Sequence, residues 1–151
     1  MKNVKPKMEE KIVELKRIAS ANDNKLEPEV VVQEASSDDS PLHKYFEWDD
    51  SVAGQRWRVH QARMMIALSV EFIPGVKTSE EVKVFVSLRD ERCEGYRTIV
   101  QVMSDEENRE QLLMDALAEL QYFKKKYAVL KELSRIFESI DEVNNTIVIK
   151  H

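Results

Sequence analysis

Leu113, Ala116, Leu120, Phe123, Tyr127, Leu130, Ser134 and Phe137 recur at alternating intervals of three and four, with no Gly or Pro among them. Side chains of that period line one flank of a helix, so this part of the chain must set an apolar seam against something. Leu112, Leu117, Leu133, Ile136 and Ile140 widen the seam at both ends. The uninterrupted period predicts one helix over 105–139, straight or with a bend, opened by a capping box in Ser104-Asp105-Glu106-Glu107, where serine and glutamate each satisfy an orphan backbone N–H. At about 1.5 Å per residue it would run roughly 50 Å, more than a domain of this size needs. Two readings stay open. The seam covers the rest of the fold, which is favoured, or Leu120, Phe123, Tyr127 and Leu130 meet a partner or a second copy. Phe123 and Tyr127 are bulky for a two-stranded seam and suit a mixed core better.

The remaining chain is also helix-rich. With 3 Gly and 4 Pro in 151 residues, it lacks the turn chemistry of a sandwich or barrel. Met8, Ile12, Leu15 and Ala19 mark a first amphipathic helix, which Ser20 to Asn24 end by competing for backbone hydrogen bonds. Pro28 suits the first turn of a second helix carrying Val30, Val31 and Ala35. After the polar break at 36–40 comes an aromatic block, in which Leu42, Tyr45 and Phe46 share a face and Trp48 follows. Asp49, Asp50 or Ser51 then caps a third helix reaching about Leu68. Ala53, Trp57, His60, Met64 and Leu68 keep helical spacing along it, with Val52, Val59, Ile66 and Val70 in looser register. Apolar residues on more than one side predict a central helix.

The period then shortens to two. Val70 and Phe72 alternate, Pro74-Gly75 breaks, and Val82, Val84, Val86 and Leu88 alternate again, predicting a β-hairpin with its loop near 76–80. Residues 89–95 form a charged loop holding Cys93. Residues 96–103 fit a strand or a short helix equally. Asn144-Asn145 reads as a turn and 146–149 as a short strand able to join the hairpin. The expectation is a mostly helical α+β fold in one domain: a helical segment at 1–40, in part mobile, and a core from 41 onward.

Charge and cysteine narrow the function. A formal net charge of −5 opposes whole-protein attraction to nucleic acid, although a local basic stripe still permits it. Arg56, Arg58 and Arg63, interleaved with Trp57, and the run Lys124, Lys125 and Lys126 form that stripe; pairing with nearby acids is the favoured alternative. Cys93 is the sole cysteine, so it closes neither an intrachain disulfide nor a cysteine metal site. It has no base beside it in sequence and reads as a surface thiol. His43 and Glu47, four apart, with Asp49, Asp50 and His60, hint at a metal, but no zinc spacing follows and capping explains the aspartates better. No Gly-rich phosphate loop and no nucleophile–base spacing is present. A metal-dependent nuclease built on scattered carboxylates is the weakest reading, and no catalytic residue, metal or cofactor is assigned. The opening KNVKPKMEEK contains no apolar signal region and no run approaches the roughly 20 residues that span a bilayer, so a cytoplasmic setting is expected.

The block Ser40-Pro41-Leu42-His43-Lys44-Tyr45-Phe46-Glu47-Trp48-Asp49-Asp50-Ser51, with Arg58 and Gln61-Ala62-Arg63, resembles small proteins of uncharacterised function from tailed phages and prophages. Gly95-Tyr96-Arg97, Val102 to Glu106 and Lys126-Tyr127-Ala128 belong to the same resemblance, which spans about 26–140. It implies a phage or prophage origin and the cytoplasm of the host bacterium, and it transfers no activity. The expected role is a non-enzymatic accessory protein working through protein contacts. Tyr45, Phe46 and Trp48 or the heptad residues would be its anchors, unless the aromatic block plugs the core. The alternative is a nucleic-acid-binding accessory factor in phage DNA replication or recombination.

Overall fold

The computed structural model describes residues 4–48, 50–73, 80–89 and 95–150. Asp49, Pro74-Gly75, most of the expected hairpin loop and Cys93 lie outside the described residues. The chain is mostly helical with small two-stranded antiparallel sheets, and it groups into two compact units, Met1–Asp105 and Glu106–His151. The contacts thus divide at Asp105, and the helices of 1–40 belong to the first core.

In the first unit, α1 (Val4–Ala21) buries Ile12, Leu15 and Ala19 of the predicted seam, with Met8 partly covered, and adds Ile18, which the spacing did not mark. It stops where Asn22 Nδ2 donates to the Ile18 carbonyl at 2.7 Å and where Asp23 and Asn24 take positive φ, a region these two residue types tolerate well. Helix α2 (Pro28–Ala35) begins on Pro28, whose missing N–H costs nothing in a first turn, and buries Val31, Val32 and Ala35. Arg17 ties α1 to α2 by donating to Glu14 at 2.7 Å and Glu34 at 2.9 Å. Helix α3 (Val52–Leu68) starts under a Ser51 hydroxyl that accepts from Gly54 N–H at 2.9 Å.

Strands β1 (Val70–Glu71) and β2 (Val82–Lys83) form the expected hairpin; β3 (Phe85–Val86) pairs with β4 (Arg97–Thr98). Val84 joins the two ladders: its N–H donates to Ser69 at 3.0 Å and its carbonyl accepts from Ile99 at 2.7 Å. The ambiguous stretch after Gly95 is both things in turn, a bridge and strand followed by α4 (Ile99–Ser104). Thr98, not Ser104, is the capping hydroxyl here, accepting from Gln101 N–H. Ser104 instead ends α4 and donates to the Gln101 carbonyl at 2.8 Å, which removes it from the predicted capping box.

The second unit departs most from expectation. The single helix predicted over 105–139 is two: α5 (Glu106–Tyr127) and α6 (Ser134–Lys150), joined by a turn and a 3-10 segment at Lys131–Leu133. Leu130 N–H closes on the Tyr127 carbonyl at 2.9 Å and Leu130 turns extended. A lone amphipathic rod leaves its seam in water, whereas folding back covers part of it. Phe123 then meets Tyr127 at 4.9 Å and Phe137 at 6.3 Å between ring centres, and Lys124 Nζ reaches Asp141 at 2.6 Å. The strand expected at 146–149 is instead the end of α6. Its β-branched residues favour strand only where a sheet edge is available to pair with, and the hairpin partner supplies a helical surface instead.

Candidate interaction surfaces

The aromatic block is first a piece of core. Leu42 and Phe46 are buried with Leu15, Val31 and Ile66. Tyr45 sits half-buried on a 3-10 turn (His43–Tyr45); its hydroxyl donates to Glu10 at 2.8 Å, and Lys11 Nζ lies 4.2 Å from its ring centre. Lys44 reaches the same Glu10 carboxylate at 2.9 Å. Of the three aromatics proposed as contacts, Trp48 keeps the most exposed surface. Even so, it stacks on His43 at 4.8 Å and donates its indole N–H to the His43 carbonyl at 3.1 Å.

Arg58, expected in a basic stripe, is only 8% exposed. Its guanidinium donates to the Glu47 carbonyl at 3.0 Å and to Gln55, and lies over the Trp48 ring. It is a strut between α3 and the aromatic block, out of reach of a phosphate. Arg63 is exposed and lies 3.7 Å from Glu29, while Arg56 is exposed on the same side of α3. Lys124 is held by Asp141 and Lys126 lies over Tyr127, leaving Lys125 outermost in that run. The structure therefore scatters the predicted basic set over two units and brings four of the six, Arg58, Arg63, Lys124 and Lys126, into contacts within the chain. Among the described residues, no three His, Cys, Asp or Glu side chains gather as a metal site. His43 Nδ1 is 2.9 Å from the Ala35 carbonyl and its Nε2 is 3.3 Å from Asp38. No described helix is long and apolar enough to cross a membrane.

The structure chooses between the apolar faces of α3, which the sequence leaves open. Arg58, Ala62, Met65 and Ile66 face the core, and the row of Trp57, Met64 and Leu68 faces out. Trp57 is 49% exposed, Met64 46% and Leu68 56%. Beside them, at helical spacing, run Arg56, His60 and Arg63, with the His60 ring stacked on Trp57 at 5.4 Å. The physical cause is visible: α2 offers Val31, Val32 and Ala35, small side chains that admit Ala62 and Ile66 but not an indole. The result is a solvent-facing strip with an apolar row and a basic row side by side.

A second apolar surface belongs to the α5–α6 hairpin. Leu113, Leu120 and Leu130 remain exposed, as do Ile136 and Val143 on α6, whereas Leu117 and Ile140 are buried. At its open end, Leu113, Met114, Leu117, Ile147 and Val148 line a cleft of about 430 Å³. Sequence reasoning named Leu120, Phe123, Tyr127 and Leu130 but missed Met114, Val143 and Val148. The first two interrupt the strict heptad, and the third fell in a presumed strand.

No family model, curated protein or solved structure matches this chain.

Proposed function

We propose that this is a non-enzymatic accessory protein that works by binding another protein through the outer face of α3. The observation that carries this reading is the exposed row Trp57, Met64 and Leu68, flanked by Arg56 and Arg63. Trp, Arg and Met are the side chains most enriched in protein interfaces, and an exposed apolar helix face is costly unless a partner covers it. An apolar row beside a basic one fits an amphipathic helix whose polar edge is acidic. A phage or prophage origin, with action in the host cytoplasm, rests on the resemblance of the 40–63 block and accompanies this reading.

The runner-up, a nucleic-acid accessory factor, draws on the same Trp57, Arg56 and Arg63. It is disfavoured because Arg58 and Lys124 are engaged internally and the chain is acidic. A photo-crosslinking residue at position 64 of the full chain, in cells, separates the two. A discrete protein adduct that resists nuclease and is lost in Trp57→Ala supports the proposal. Adducts to DNA or RNA, with binding that falls steeply as salt rises, would replace it with the runner-up.

A further inference from the structure

We infer that docking on the outer face of α3 is coupled to a proton at His60. The partner is a helix that sets a row of carboxylates along Arg56, His60 and Arg63, and it binds more tightly as pH falls. The inference rests on the protein-contact reading above and adds the chemistry of the partner's edge and the condition that strengthens binding.

Helical geometry fixes the order of side chains across the face. At about 100° per residue, Arg56 and Arg63 fall on one line, Trp57, Met64 and Leu68 on another, and His60 between them. All six side chains are exposed. The His60 ring is stacked on Trp57, with centres 5.4 Å apart and planes inclined by 29°. The imidazole therefore belongs to both rows, apolar against the indole and able to join the arginines by taking up a proton. Arg56 and Arg63 stand one turn to either side of it on α3, and Glu29 of α2 lies 3.7 Å from the Arg63 guanidinium. From Arg56 to Arg63 the row rises about 10 Å along the helix. Carboxylates at spacings of three and four on a partner helix match those positions, with apolar side chains beside them for Trp57, Met64 and Leu68.

The proton decides how well the middle of that row is answered. A carboxylate brought against a neutral imidazole finds one N–H and no charge. Against an imidazolium it gains a charge-assisted hydrogen bond, while the cation keeps the face of Trp57. Binding and protonation at His60 thus favour each other. By linkage, affinity rises as pH falls through the range in which imidazoles take up charge. Arg56 and Arg63 stay charged throughout and supply the part of binding that pH does not move.

The test uses the full chain with a photo-crosslinking residue at position 64, irradiated in cell lysate buffered at about pH 6 or about pH 8, either side of the ordinary imidazole transition. With His60 intact, a Trp57-dependent protein adduct is expected at about fivefold or higher yield at the lower pH. His60→Gln should remove the difference and leave the yield low at both pH values. His60→Arg, with a fixed charge, should leave it high at both. Because His60 is exposed, both variants should keep the helicity of the parent chain by circular dichroism. Equal yields with His60 intact overturn the inference. So does a difference that persists in His60→Gln, which would place the titrating group on the partner. Adducts to nucleic acid, or no Trp57-dependent adduct at either pH, would remove the protein-contact reading itself and the inference with it.

Discussion

The guanidinium of Arg58 lies 5.2 Å from the centre of the Trp48 ring, whose other neighbours are His43, stacked at 4.8 Å, and Phe46 at 5.8 Å. A cation on a solvent-facing helix would ordinarily stay in water. Here its charge is answered by the Glu47 carbonyl, the Gln55 amide oxygen and an aromatic face, so Arg58 ties the block from His43 to Trp48 to α3 beside the packing of Phe46 in the core. Arg58→Ala is expected to lower the unfolding free energy by about 2–3 kcal/mol, the scale for losing hydrogen bonds from a buried charged group, as read by urea denaturation. Arg58→Lys should recover little, because an ammonium neither stacks nor donates as a planar fork.

Gly95 has φ +99°, and a Cβ there would stand 2.6 Å from the Leu26 carbonyl oxygen. That carbonyl accepts from Tyr96 N–H at 2.9 Å, and Leu26 N–H donates to Tyr96 at 2.7 Å, so the neighbouring backbone cannot yield without breaking a bridge. Gly95→Ala is expected to cost about 2 kcal/mol or more, from left-handed strain together with the clash. A thermal melt checks it; an unchanged Tm would mean that this bridge is not formed.

Glu10 gives the fold a pH signature. The Lys44 ammonium, then the Tyr45 hydroxyl, hold its carboxyl below the usual carboxylate range. A depressed folded value means its contribution is present above the unfolded value and is lost as pH falls through the folded one. Burial, then the Glu10 carboxylate, pushes the Tyr45 phenol up, so its contribution is complete below the ordinary tyrosine value and fades as pH rises through the folded one. Glu10→Gln is expected to flatten the acid limb of a stability–pH curve and leave the neutral plateau less changed than the acid slope. An acid limb identical to wild type would contradict the contact.

The hairpin joint also makes a local claim. Ala128 and Val129 lie in a turn between α5 and α6, and Val129 is almost wholly exposed. Amide hydrogen exchange is expected to be faster at 128–129 than at 118–124 by at least two orders of magnitude. Uniform protection from 118 to 139 would restore the single helix that the heptads predict.

What the sequence disclosed and what it hid follow from the kind of signal involved. Three helix ends were legible because they depend on neighbours in the chain: Pro28, Ser51 and the Asn22 to Asn24 stop act where spacing placed them, whereas Ser104 does not cap α5. The inward face of α3 was not, because Val52, Ala53, Trp57, Val59, Met64, Met65, Ile66 and Leu68 surround the helix and period alone cannot choose among them. Only the small side chains of α2 decide, and they are remote in sequence. The bend after Tyr127 has no Gly or Pro to announce it; it exists because the seam finds its own second half. For the same reason the heptad residues of the candidate surface could be named, while their exposure could not.

The measurement closest to the central claim compares the unfolding free energies of Trp57→Ala and Ile66→Ala in the full chain. Ile66 is wholly buried, and its truncation is expected to cost about 2–5 kcal/mol; Trp57 lies half in solvent on the proposed binding row and should cost under about 1 kcal/mol. Equal and large losses would contradict the account, because they would place Trp57 in the core and leave α3 with no outer face to offer a partner.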